Sequence, residues 1–295
     1  MMNPGAILVL AASVVAATPQ PSHSVDFWRQ LVKDKYTVAP GSDVAALTSE
    51  LLEMLASPDP ERRDEIAYST LATWIYQTRA IDADALRPVV SRLLENLTDG
   101  IGERGTDRIF KRSFSALTLS VVVARDNAAP FLAPEEFRRV KDAGLAYLEA
   151  EQDLRGYDAE RGWMHSAAHT ADLLKFIARS RFLDRADQRR VLAAITHKLK
   201  AATTVFTHGE DERFARAVLS IINRTDFDRD AFAAWISETK PARPSARPSA
   251  ADLIGAQNEK NLLAKLEVLL DGDAQPSDAV QWAHSSVRTA LQDLF

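Results

Sequence analysis

From residue 43 onward apolar positions return at intervals of three and four, a period that predicts helices almost without interruption. Over residues 43–57 (DVAALTSELLEMLAS), Val44, Leu47, Leu51, Leu52 and Leu55 share one face, and Ser42 or Asp43 stands where an N-cap belongs. A second helix opens after Pro60, a residue favoured in the first turn, and runs to about Arg79. Asp82 caps a third, with Leu86, Val89, Val90, Leu93, Leu94 and Leu97 as its stripe. The run 98–102 (TDGIG) ends it, because glycine accepts the left-handed conformation of a helix C-cap. Thr106 or Asp107 caps a helix through Ala124, Pro134 starts one to about Gln152, and Gly162 precedes one to about Arg181. Asp184 caps another to Thr204, and two more cover 209–223 and 228–237. No segment shows convincing strand alternation.

These helices group in pairs whose first members begin near 43, 82, 134 and 184, a unit in the size class of HEAT and armadillo repeats. The expected fold is therefore all-α: stacked antiparallel helix pairs forming an α-solenoid, with a closed α/α toroid as the alternative. Lys240–Ala250 (KPARPSARPSA) lacks apolar residues and reads as an extended linker. Past it, 253–270 and 279–294 form a last helical hairpin. The expected organisation is thus a leader at 1–17, a helical-pair domain at 18–238, the Pro-rich linker or insertion at 239–250, and the C-terminal hairpin at 251–295.

Composition changes the picture in three places. A net charge of -5 with no long basic run supplies no electrostatic footprint for nucleic acid. The absence of cysteine removes disulfides, thiol catalysis and thiolate metal sites. Gly5–Ala17 (GAILVLAASVVAA) is an apolar run shorter than the roughly 20 residues of a spanning helix, and small residues precede Thr18. It predicts a secretory leader cleaved near Ala17, a periplasmic or secreted protein, and no stable membrane span afterwards. The n-region MMNP lacks the usual basic residue.

Polar chemistry concentrates at the N-terminal end of the second helix of each pair. The clusters are Asp64 with Tyr68; Arg112 with Ser113; Trp163, His165, His169 and Asp172; and Glu210, Asp211 and Arg213. In stacked pairs the second helices line the concave face, so the four clusters would form one polar strip. His165, His169 and Asp172 fall on one helical face, with Trp163, Ala167, Ala171, Leu174 and Ala178 nearly opposite as a packing face. Two imidazoles at i and i+4 can bind one divalent metal, with Asp211 or Glu210 completing the set. The Glu that follows the first His in zinc-peptidase helices is missing, and the same histidines can simply satisfy neighbouring carboxylates and carbonyls. The acidic run 210–212 also suits a helix dipole. Arg112 can neutralise a buried carboxylate or grip an anionic ligand. Ser113 and Ser166 lack the glycine context of a hydrolase elbow.

FWRQLV near the start, DPERRDEIAYSTLATWI, GIGERGTDRIFKRSFSAL, DLRGY, GWMHSAAHTADLL, HGEDERFARAV and QNEKNLLAKLEVLL follow in one order from Phe27 to Leu270. Through them the chain resembles a bacterial family catalogued as domain of unknown function 2785. The resemblance transfers no catalytic residue. It implies that the Pro-rich run is a local insertion and that the hairpin after it belongs to the same domain. The leader is a departure from the family.

Three functions fit these residues. The first is a binding scaffold whose strip takes a protein or peptide segment or a small polar ligand. The second is a metal-assisted or acid–base hydrolase of the cell envelope, with His165 and His169 on metal or proton and Asp211 or Glu210 as ligand or base. The third is a structural role in which the clusters serve stability alone.

Overall fold

A computed structural model describes residues 23–241 and 247–293. The leader at 1–17 and the central part of the Pro-rich run lie outside these residues. The chain is mostly helical, as its hydrophobic period predicts.

Short-range signals start most helices. The helix α1 (Val25–Lys33) is capped by Ser24, and α2 (Val44–Met54) by Asp43, whose carboxylate accepts from Ala46 N at 3.0 Å. Helix α3 follows Pro60 as π-helical Glu61–Tyr68, α-helical Ser69–Ala72 and π-helical Thr73–Gln77. Asp82 caps α4 (Ala83–Asn96), and Asp107 precedes α5 (Arg108–Ala128). Pro134 opens α6 (Pro134–Ala150). After α7 (Ser166–Ala178), Asp184 caps α8 (Arg185–Ala201), Gly209 precedes α9 (Glu210–Ile222), and Asp228 caps α10 (Arg229–Thr239). Ser249 and Asp252 make a capping box on α11 (Ala250–Asp271), and Ser277 caps α12 (Asp278–Gln292).

Helices α3, α5, α7, α9 and α11 pack against one another in succession, and α4, α6, α8, α10 and α12 do the same alongside them. The core lies between these two rows. Helix α5 is buried on nearly every side, from Ile109 to Asp126. Helix α11 joins the first row on α9 rather than standing apart, and Gly255 also lies so close to α8 of the second row that a Cβ there would sit 3.3 Å from Lys200 Cα. Among the described residues no helix is long and apolar enough to cross a membrane.

The expectation of no strand fails at one place. Tyr157–Asp158 (β1) and Gly162–Trp163 (β2) pair antiparallel, Tyr157 opposite Trp163. The hairpin turns because Asp158 Oδ1 accepts from Glu160 N at 2.9 Å and Arg161 N at 2.8 Å. Gly162 sits at φ +72°, and its missing side chain leaves room for Pro60 and Arg63 beneath.

Candidate functional site

The hairpin lands on α3 and delivers the chain to α7. Arg63 of α3, fully buried, donates to Ser57 O at 2.9 Å and Arg161 O at 2.8 Å, and its guanidinium lies 4.1 Å over the Phe110 ring. Burial pulls its pKa down and pushes that of Asp64, 2.6 Å away, up. On the far strand, Met164 N donates to Gly156 O at 2.9 Å and His165 N to Arg155 O at 3.0 Å. Helix α7 therefore begins at Ser166, and His165 is its N-cap residue in the left-handed conformation, φ 51° and ψ 34°.

This geometry corrects the helical projection. Trp163 is on β2 rather than on the packing face of α7. It is 38% exposed and stacks on His165 at 4.6 Å and 22°. Tyr157, 53% exposed, meets it at 4.9 Å, so two large aromatics stand in solvent on the hairpin. The His165 and His169 rings are 5.6 Å apart and tilted by 65°.

Each histidine is already engaged. His165 Nε2 is 3.0 Å from His208 O and 3.5 Å from Glu210 Oε1. A carbonyl only accepts, so Nε2 carries the proton and offers no lone pair to a metal. Glu210 is buried, and its other oxygen accepts from His208 N at 2.8 Å. Ser113 Oγ donates to Met164 O and lies 2.7 Å from His169 Nδ1. A hydroxyl has one proton, so Nδ1 must donate to Oγ, which leaves Nε2 as the ring's acceptor. Burial lowers the pKa of His165, against the pull of Glu210. Burial, aided by the charge of Arg213 and by repulsion from His165 once that ring is protonated, lowers that of His169 further. Both rings are neutral near pH 7.

The remaining predicted residues divide. Asp172 pairs with Lys175 at 2.9 Å and closely with Arg213. Tyr68 approaches that cluster: burial, then the charge of Asp172, raises its hydroxyl to about 12. Phe114 bridges Tyr68 and His169, 6.2 Å from one ring and 4.9 Å from the other. Tyr68, His169, Asp172 and Arg213 thus come together across α3, α7 and α9, beside His165, Trp163 and Glu210.

Arg112 does not join them. Its guanidinium grips Glu151 at 2.6 and 3.1 Å and donates to Asp99 O and Gly100 O at 2.9 and 3.0 Å. Burial works against its charge, and the hydrogen bonds and charge of Glu151 more than offset that, so its pKa rises. Asp211 Oδ1 accepts from Glu212 N at 2.8 Å, a short-range contact at the start of α9. Among the described residues no three of His, Asp and Glu are grouped to hold a metal ion. Within the candidate set, His165 turns its Nε2–H toward His208 O and Glu210, and Asp211 Oδ1 serves the start of its own helix.

Arg63, Glu151 and Tyr157 are absent from the residues that the sequence singles out. For Tyr157 the available signal was an aromatic directly before the turn-forming Asp158. Arg63 and Glu151 carry none, because their partners lie 98 and 39 residues away.

No curated protein and no solved structure matches the chain. The family profile described as "Protein of unknown function (DUF2785)" matches residues 97–268, from the end of α4 through most of α11. Asp64 and Tyr68 precede the match, whereas the cluster from Ser113 to Arg213 lies inside it. With more than half of its residues covered, the chain belongs to the DUF2785 family.

Proposed function

We propose that this protein is a binding scaffold that takes a polypeptide segment against the hairpin and the adjoining polar strip. One observation carries the reading. The groups with acid–base character are buried and engaged: His165, Glu210 and Ser113 by one another, by His169 or by backbone, and Asp172 by Lys175 and Arg213. The Tyr157–Trp163 pair beside them is exposed. Exposed aromatics with a polar rim are what a binding surface presents, and Trp and Tyr are favoured anchors. A segment seated there would cross from the hairpin toward Tyr68 and Arg213. The orderly contacts between successive helices support stacked HEAT-like pairs as the frame, with a closed toroid as the alternative. The leader-like run at 5–17 would place the partner in the envelope, and mass spectrometry of protein from expressing cells checks for a start near Thr18.

Selection of a random-peptide display library on the full chain and on a Tyr157→Ala/Trp163→Ala variant tests binding. Sequences enriched on the natural chain and lost on a variant with the same melting temperature support it. No enrichment, or identical enrichment on both, overturns it.

The hydrolase alternative draws on the free lone pair of His169 Nε2. Hydrolysis of ester, glycoside or phosphoester substrates that His169→Gln abolishes would favour that reading instead.

A further inference from the structure

Beside the hairpin lies a cleft of about 410 Å³, between the segment 152–156 that enters β1 and the segment 203–208 that joins α8 to α9. Neither wall is helix or strand, yet buried polar side chains fasten both. On the first, Asp153 accepts from Gly105 N at 2.9 Å and from the Arg155 guanidinium at 2.6 Å, and Ser166 Oγ donates to Asp153 O at 2.6 Å. On the second, fully buried Asn258 of α11 accepts from Phe206 N at 2.8 Å and donates to Thr204 O at 3.0 Å. Glu210 and His165 hold His208 by its N–H and its carbonyl. The cleft is therefore a fixed shape rather than a gap between loose loops, which lowers the ordering cost of binding.

Its hydrogen-bonding capacity is unevenly spent. Asn258 takes a carbonyl and an amide two residues apart, at Thr204 and Phe206. Successive groups along an extended chain point to opposite sides, so the Val205 and Thr207 amides face away from Asn258. Both residues line the cleft, and neither amide has a partner among the described residues. Val205 O accepts only the Thr204 hydroxyl, at 3.3 Å, and a carbonyl has a second lone pair. Alternate unpaired main-chain groups of this kind make an edge that an added strand completes.

Charge adds a second condition. Among the Asp, Glu and Arg side chains of the lining, Asp153 and Arg155 pair with each other, and Glu210 is buried against His208 N and His165. Arg104 is left over. It is exposed, donates to Gln152 Oε1, and makes no ion pair among the described residues. His208 belongs to two surfaces at once: it lines the cleft, and its ring meets that of Trp163 edge-on at 6.1 Å.

We propose that the cleft takes an acidic stretch of polypeptide as an added strand, its main chain paired with Val205 and Thr207 and a carboxylate on Arg104. This role presupposes the peptide-binding function and carries the segment from Trp163 past His208 into the cleft.

Peptides enriched on the full chain from a random display library provide the probe. Each is synthesised unmodified and with single N-methylated amides along its length, then titrated by fluorescence anisotropy against the natural chain and Arg104→Gln. Asp or Glu should recur among the enriched sequences. Arg104→Gln, and N-methylation at every second residue of the bound stretch, should each weaken binding at least about tenfold, as expected when hydrogen bonds are lost at the cleft. Arg104 is exposed with one side-chain contact, so an unchanged melting temperature is expected for its variant. Peptides that tolerate N-methylation throughout, or that bind Arg104→Gln as tightly as the natural chain, overturn the cleft while the peptide-binding function stands. No enrichment from the library overturns both.

Discussion

Near its two ends α5 buries an arginine, and the two could hardly be treated more differently. Arg112 has a carboxylate and two carbonyls within 3.1 Å, which tie the 99–100 turn and the end of α6 to one guanidinium. Arg125 has a buried Nε and Nη1 with nothing to donate to, and burial pulls its pKa down. Burial alone therefore does not mark a cation as structural. What decides is whether its hydrogen-bonding capacity is used, because an unused donor forfeits hydration and receives nothing in return. The same comparison separates the histidines from the aromatics at the hairpin: the former have partners and the latter face solvent.

The largest expected effect is at the satisfied end. Arg112→Met strands the Glu151 carboxylate in the interior and should lower unfolding free energy by about 3–5 kcal/mol in urea titrations. A loss below about 1 kcal/mol would erase the contrast between the two ends of α5. Gly162→Ala comes next. A Cβ at φ +72° would sit 3.1 Å from Pro60 and 3.2 Å from the Arg63 guanidinium. Calorimetry should show a loss of about 1–2 kcal/mol, which would class Arg63 with Arg112 as a cation held by its surroundings.

The pH dependence follows in size. His169 has a folded pKa below its unfolded value, so the unfolded chain binds the extra proton as pH falls. Stability is full above about pH 6.5 and declines below it, by up to about 1.4 kcal/mol per pH unit for one histidine. Denaturation at pH 7.5 and 5.5 should show a smaller decline in His169→Gln; an equal slope would contradict the buried neutral ring. The smallest effect belongs to Arg125→Met. Its stability should match or slightly exceed that of the natural chain, since an unbranched apolar side chain removes a buried cation with orphaned donors. A loss as large as that of Arg112→Met would show that the two ends are alike after all.

The helices were legible where their signals are short-range. Asp82 and Asp184 each cap the helix that they were expected to cap, Asp43 rather than Ser42 caps α2, and Pro134 opens α6. Helix α1 escaped the reading of the periodicity, although Ser24 caps it. The site was legible as a set of residues but not as a geometry. Extending the α7 helix back through 163 was reasonable from spacing alone. Arg63 on Arg161 O and the backbone bonds to Arg155 and Gly156 instead hold that stretch as a strand and a left-handed turn. That contact moves Trp163 from a packing face to the surface. For Arg112 the sequence allowed either a buried ion pair or an anion site, and Glu151 resolves it.

Helical class, cap positions and the apolar stripes were determined by the sequence alone, because each depends on residues within a turn or two of one another. Tertiary structure decided which polar groups are spent and which are left over. A desolvated charge is satisfied only by a partner brought from another element, and that pairing lies in the packing of α3, α5, α6 and α7 rather than in any local run. Arg112 and Arg125 are thirteen positions apart on one helix, and only their neighbours in space distinguish them.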